Sequence, residues 1–221
     1  MTDSLRTVLL PPETSLSWVE EIDGLMQSAD IPVTPGRAMV APRMASVLIP
    51  LFRHNKQWHI LYIRRVQNER DRHSGQVAFP GGRRDPTDAS AVETALREAD
   101  EEIGLSHSNV RVVGTLDDYL TSSNYLVTPV VGVVPWPHDY KAQPSEVDRI
   151  FSIPLVWLAN PANIEIRRRD VPAGSQHVNT TVIYFSHYDD ELLWGATARM
   201  TVAFMHALHR DTLSCHVHAQ P

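Results

Sequence analysis

The feature that most constrains this chain is a change of period at the glycine pair Gly81-Gly82. Residues 76–79 read as a short strand running into Pro80-Gly81-Gly82. Beyond a polar loop, Val92, Ala95, Leu96, Ala99 and Ile103 fall within about 100° of one helix face at 3.6 residues per turn, with Gly104 as a natural stop. The same helix crowds Glu98, Asp100, Glu101 and Glu102 together. With Val92 as zero, Glu98, Glu101 and Glu102 lie at about 240°, 180° and 280° and share a face beside the apolar stripe, whereas Asp100 falls near 80°. Carboxylates so spaced repel by roughly 0.2–0.5 kcal/mol per pair in an isolated helix. A hard divalent cation, Mg²⁺ or Mn²⁺, would relieve that repulsion. The bland alternative is a solvated acidic face partly neutralised by an Arg97–Glu101 pair.

Around this helix the pattern is mostly that of strands. ASVLIPLF and WHILYIRR are short apolar and β-branched runs separated by His54-Asn55-Lys56, which predicts a β-hairpin. Further strand-like runs occupy residues 110–116, 126–134, 149–153 and 180–185, and a last helix spans about 196–209. Strands outnumber helices without alternating with them, so the fold class is α+β with a mixed sheet. Residues 15–29 have helical spacing and 31–42 read as a proline-containing connector. The expected organisation is therefore an N-terminal helix and connector over 1–44, a main domain over 45–210 and a tail over 211–221. With 43% hydrophobic and 21% charged residues the 221-residue chain has the composition of a globular protein. Its formal charge of −6 offers no field for nucleic acid or an anionic membrane surface. The single cysteine, Cys215, and a start lacking a basic segment followed by a long apolar run point to a cytoplasmic protein.

The segment GGRRDPTDASAVETALREADEEIGL resembles the box of the Nudix hydrolases, G-x5-E-x7-R-E-U-x-E-E-x-G-U with U aliphatic, through Gly82, Arg97, Glu98, Ala99, Glu101, Glu102, Gly104 and Leu105. The resemblance implies an α/β/α sandwich, a mixed sheet between helices with an N-terminal helical extension. It makes Glu98, Glu101 and Glu102 catalytic metal-binding carboxylates, with Glu98 and Glu102 as direct ligands, joined by the Gly82 carbonyl. Gly81 and Gly82 let the backbone turn sharply and approach a ligand. Arg97, one step before Glu98, would orient a carboxylate through a charge-assisted hydrogen bond. The box departs from the family at its first glutamate: Asp88 stands at the right distance from Gly82, Ala89 at the right distance from Arg97.

Upstream, LYIRRVQNERDRHSGQVAFPGG resembles the signature of the coenzyme A pyrophosphatase branch, through Ile60, Leu61, Arg64, Gly75, Phe79, Pro80, Gly81 and Gly82. GTLDDYLTSSNYLVTPVVGVV, EVDRIFSIPLVWLANPAN and LLWGATARM resemble that branch too, as does the one-residue insertion in the box. Coenzyme A carries a diphosphate and a 3′-phosphate, and Arg64, Arg65, Arg70 and Arg72 with His73 form a local cationic cluster. Guanidinium forks suit phosphate oxygens, so these arginines and Gly81 are the substrate-binding candidates. An exposed basic loop balanced by Glu69 and Asp71 is the plainer reading of any one of them.

Weaker candidates are Glu146, either in a loop reaching the metals or simply on the surface, and Asp117 and Asp118, which could merely end a strand. His206, His209, His216 and His218 read as a solvated helix end and tail rather than a transition-metal site. The implied reaction is Mg²⁺- or Mn²⁺-dependent hydrolysis of coenzyme A or a derivative to 3′,5′-ADP and 4′-phosphopantetheine, in a protein whose partner is a small molecule and whose homodimerisation stays open. Two rivals remain: a Nudix enzyme for another nucleoside diphosphate derivative or oxidised nucleotide, and a Nudix-fold binding or regulatory protein without turnover.

Overall fold

The computed structural model describes residues 4–27, 41–67, 74–169 and 180–213. Its elements in chain order are α1 (Leu5–Leu9), α2 (Trp18–Gln27), β1 (Arg43–His54), β2 (Gln57–Arg65), β3 (Val77–Ala78), β4 (Gly81–Arg83), α3 (Ala91–Ile103), β5 (Arg111–Thr115), β6 (Tyr119–Leu120), β7 (Tyr125–Val133), β8 (Val147–Pro154), α4 (Leu155–Leu158), β9 (Ile164–Arg169), β10 (Thr180–Phe185) and α5 (Gly195–Arg210). The predicted hairpin is present, and Asn55 and Lys56 make its tight turn with φ of 47° and 66°.

The main sheet runs β3-β2-β1-β7-β5, with β4 added to β1, β6 to β7 and β8 to β2. β1 and β7 pair in parallel and every other pairing is antiparallel, which makes the sheet mixed as expected. Because successive strand residues face opposite ways, the sheet has two apolar faces. On one, Leu48, Phe52, Leu61, Ile63 and Val130 meet Ala95, Ala99 and Ile103 of α3. On the other, Ile49, Leu51, Ile60 and Tyr62 meet Ala198, Val202, Phe204 and Met205 of α5, where the Tyr62 and Thr201 hydroxyls are hydrogen-bonded at 3.1 Å. Helices therefore cover both faces in an α/β/α sandwich.

The N-terminal stretch holds two helices where one was expected. Leu9, Leu16, Val19 and Ile22 are buried in the same core as α5, and Trp18 Nε1–H donates to the Ala159 carbonyl at 2.9 Å. Four more elements went unread in the sequence: β4, β6, α4 and β9. The first three have two to four residues, too few to show a period, and β9 pairs with β10 in a separate two-stranded sheet. Residues 31–40 of the expected connector lie outside the described residues, as do residues 28–30 before it and the tail from 214 on. Among the described residues no helix is long and apolar enough to cross a membrane.

Candidate active site

The site grows from the contact between β4 and α3. Gly81 sits at φ +154°, and a Cβ there would lie 2.5 Å from the Val47 Cα of β1. A Cβ on Gly82 would lie 2.5 Å from Glu98 Oε2. Backbone on one side requires glycine at Gly81, whereas a side chain at Gly82 would displace the Glu98 carboxylate from its place against the strand. Gly81 N–H also donates to Glu102 Oε2 at 2.9 Å, fixing the strand to the helix. The helix itself is well terminated. Ser90 Oγ accepts from Glu93 N–H at 3.1 Å and Glu93 Oε2 accepts from Ala89 N–H at 2.7 Å. At the other end Gly104 adopts φ 67° and donates to Asp100 O, while Lys141 and Gln143 N–H groups satisfy the Ile103 and Glu102 carbonyls.

Arg97 is the organising side chain. Its Nε donates to Asp88 Oδ1 and its Nη2 to Asp88 Oδ2, both at 3.0 Å; it also reaches Glu98 Oε1 at 2.9 Å, Glu101 Oε2 at 3.0 Å and the Arg83 carbonyl at 3.1 Å. One guanidinium thus aligns three carboxylates and ties the loop between β4 and α3 to the helix. The fork holds the Asp88 carboxyl far below the usual carboxylate range, and the Arg97 pKa rises in turn. Of the two alternatives at the first acidic position, Asp88 is the residue that meets Arg97.

Glu98 and Glu102 present a different balance. The Glu102 carboxyl is pushed up to about 7, chiefly by burial; the Gly81 N–H and Arg65 pull it down, while the negative charges of Glu98 and Glu146 raise it further. Its side chain is only 2% exposed, and among the described residues the cation that meets it, Arg65 Nη1, is 3.9 Å away. Glu98 is raised too, by burial first and then by Glu101 and Glu146 against the pull of Arg97. Glu101, its side chain 60% exposed, turns outward to Arg97. Among the described residues no three acidic, histidine or cysteine side chains already close around a common point. The arrangement is a pair of half-satisfied carboxylates with an all-oxygen donor set, whose mutual repulsion a hard cation would cancel.

A family profile described as the NUDIX domain matches residues 42–172. This chain belongs to the Nudix family. Curated relatives described as the uncharacterized Nudix hydrolase NudL are 40% identical: that of Photorhabdus laumondii over 171 residues, 76% of this chain and 86% of its own, and that of Escherichia coli K12 over 159 residues, 71% and 78%. The crystal structure of a MutT protein from Methanosarcina mazei Go1 superimposes with a TM-score of 0.47 at 17% identity, over 79% of this chain and 99% of that one. As a Nudix hydrolase the chain acts on a diphosphate bond, and enzymes of this family generally use divalent ions such as Mg²⁺ or Mn²⁺.

The structure brings Gly81, Gly82, Arg97, Glu98 and Glu102 together, leaves Glu101 turned outward, and separates Arg64 from Arg65. Arg64 and Arg65 are neighbours on β2 and face opposite sides of the sheet. Arg65 lies on the α3 side against Glu102. Arg64 lies on the other side, where Asp148 and Glu191 hold it, Nε to Asp148 Oδ2 at 2.7 Å and Nη1 to Glu191 Oε1 at 2.8 Å. Arg70, Arg72 and His73 lie outside the described residues. Glu146 is exposed yet close enough to bear on both Glu98 and Glu102, so the loop before β8 does reach the carboxylates. Asp118 accepts from the Thr128 hydroxyl at 2.5 Å, and His209 approaches Glu20 at 3.8 Å. The sequence reasoning passed over Glu191, a buried acid shared by Arg64 and Arg149, which no local pattern marks. It also passed over the Ser90–Glu93 cap, for which S-x-x-E was a visible signal.

Proposed function

We propose that this Nudix hydrolase cleaves the diphosphate bond of coenzyme A or its acyl derivatives, giving 3′,5′-ADP and 4′-phosphopantetheine or its acyl form. The observation that carries the metal-dependent part is the Glu98–Glu102 pair: two carboxylates pressed against a side-chain-free glycine strand, each raised by burial and by nearby negative charge. The substrate part is supported by the stretch from Leu61 to Gly82 and by its likeness to the coenzyme A pyrophosphatase branch.

Glu98 and Glu102, with Glu101 and the Gly82 carbonyl, would hold Mg²⁺ or Mn²⁺. The bound ion supplies Lewis acidity and neutralises the diphosphate. Everything else falls to the chain. Gly81 and Gly82, lacking side chains, let Glu98 and Glu102 lie directly against the strand backbone. Arg97 fixes the Glu98 carboxylate, and Gly81 N–H fixes that of Glu102, so neither reorganises as charge develops. Arg65, the only guanidinium the described residues place against Glu102, would pair with a diphosphate oxygen on the same side. Water adds its oxygen to one phosphorus, the bond to the bridging oxygen breaks, and both products leave as phosphomonoesters.

A substrate panel with Mg²⁺ and Mn²⁺, read by product mass, tests this reading. Coenzyme A should give the two named products with the highest kcat/KM. Preference for ADP-ribose or an oxidised nucleotide would reject the coenzyme A assignment and leave the diphosphate chemistry in place.

A further inference from the structure

We infer that a pocket formed by the start of β1, the end of β4 and the loop after it is a second phosphate subsite, which takes a phosphomonoester of the substrate remote from the scissile diphosphate. The pocket has a volume of 380 Å³ and is lined by Arg43, Met44, Arg83, Arg84, Asp85 and Asp88, among others. That is space for a phosphate and the sugar that carries it.

Its charge is the first argument. Three guanidinium groups face two carboxylates, and the Asp88 charge is matched by Arg97 from outside the pocket. Asp85 is turned to the Thr87 N–H and hydroxyl at 2.9 and 2.7 Å. Arg84 is aimed by the Asp88 and Ala89 carbonyls at 3.1 and 3.2 Å, which orient its fork without neutralising it. The Arg43 guanidinium lies 4.3 Å from the centre of the Tyr125 ring, and among the described residues neither Arg43 nor Arg83 has a carboxylate partner. The lining therefore holds a surplus of positive charge on a protein whose formal charge is −6. By contrast Arg64, Arg97 and Arg149 are each engaged by two or more carboxylates.

Position is the second argument. Arg83 follows Gly82, whose backbone abuts Glu98, so the pocket begins one residue from the hydrolytic carboxylates, about 3.8 Å along the chain. In β4 the register sets Gly82 opposite Ser46 and Arg83 opposite Ala45, so the two residues point to opposite sides of a strand that, among the described residues, pairs with β1 alone. A ribose with a 5′-diphosphate and a phosphomonoester on the same ring has its two anionic groups one sugar apart, so a subsite next along the strand from the carboxylates is where the second one would be sought. Arginine forks with no internal carboxylate are the groups that bind such a dianion bidentately.

The identity of that phosphate as the 3′-phosphate of coenzyme A rests on the proposed function; the subsite itself does not. Isothermal titration of the full chain with 3′,5′-ADP and with 5′-AMP tests it without turnover. 3′,5′-ADP should bind about tenfold or more tightly than 5′-AMP, and Arg43→Gln or Arg83→Gln should shrink that ratio to about threefold or less. Equal affinity of the two nucleotides in the unaltered chain would overturn the inference with no variant needed. So would a ratio preserved in both folded variants. Kinetics then separate the two readings. If the ratio depends on Arg83 but coenzyme A is not the preferred substrate, the subsite stands for another nucleotide and the coenzyme A reading fails. If coenzyme A is preferred and the ratio ignores both arginines, the reverse holds.

Discussion

Two charged clusters on opposite faces of the sheet use the same residue types in opposite order. Around Glu191 the charges alternate: Asp148, Arg64, Glu191, Arg149 and Asp189 form a chain in which each group touches only its opposite. Beside α3 the negative groups are neighbours: Arg97 aligns Asp88, Glu98 and Glu101, while Glu102 and Glu146 add charge that Arg65 meets only at 3.9 Å. The first cluster is complete and its central acid, 4% exposed, joins the turn before α5 to β2 and β8. The second keeps an excess of negative charge that a proton on Glu102 or an added cation would relieve. An arginine–carboxylate network is thus a structural device or a ligand site according to the sequence of its charges, not its composition.

The largest expected effect breaks the α3 side. Glu98→Gln and Glu102→Gln should each lower turnover by about a hundredfold or more, on the order of 2.7 kcal/mol in the barrier, while thermal unfolding without Mg²⁺ shows no loss of stability. Near-normal turnover in both variants would remove these carboxylates from the reaction. Next, Glu191→Gln should act in the opposite sense, costing about 2 kcal/mol of stability by chemical denaturation. The magnitude is held down because Arg64 and Arg149 are about one-third exposed and keep their second partners. A large drop in kcat at unchanged stability would make the Glu191 network part of the catalytic apparatus and erase the contrast.

A smaller effect is expected from Asp88→Asn, about 1 kcal/mol in stability with a severalfold loss of kcat, because Arg97 keeps its contacts to Glu98, Glu101 and the Arg83 carbonyl. Unaltered kinetics would show that Arg97 needs no anchor to align Glu98. The smallest effect is a pH dependence. Burial raises the Glu102 carboxyl from 4.5 to about 7, so without metal its protonated form favours folding; that contribution is full below about 4.5 and is lost as pH rises through about 7. A cation binds the deprotonated form, so Mg²⁺ should raise Tm more at pH 8 than at pH 5.5. An equal rise at both pH values would sever the link between the ion and this carboxylate.

The sequence by itself determined the elements whose information is local. The thirteen residues of helix α3 carry its apolar stripe, with Ser90 immediately before them and Gly104 immediately after, and the β1–β2 hairpin is written in two runs and a short turn. The box carboxylates were legible for the same reason, since helical spacing fixes which of them share a face. The separation of Arg64 from Arg65 was half legible: strand alternation places neighbours on opposite sides, but only the approach of Asp148 and Glu191 shows that Arg64 is already taken.

Tertiary structure decided what depends on distant partners. The choice between Asp88 and Ala89 rests on where the loop brings a carboxylate against Arg97, nine residues along the chain. Strand β4 exists because β1 supplies its hydrogen bonds, and the Glu191 network joins residues 42 and 127 positions apart. Burial, which sets the Glu102 ionisation, is a property of the closed sandwich and of no segment within it. A periodic pattern records the face an element presents; what meets that face is fixed only when the sheet and helices close on one another.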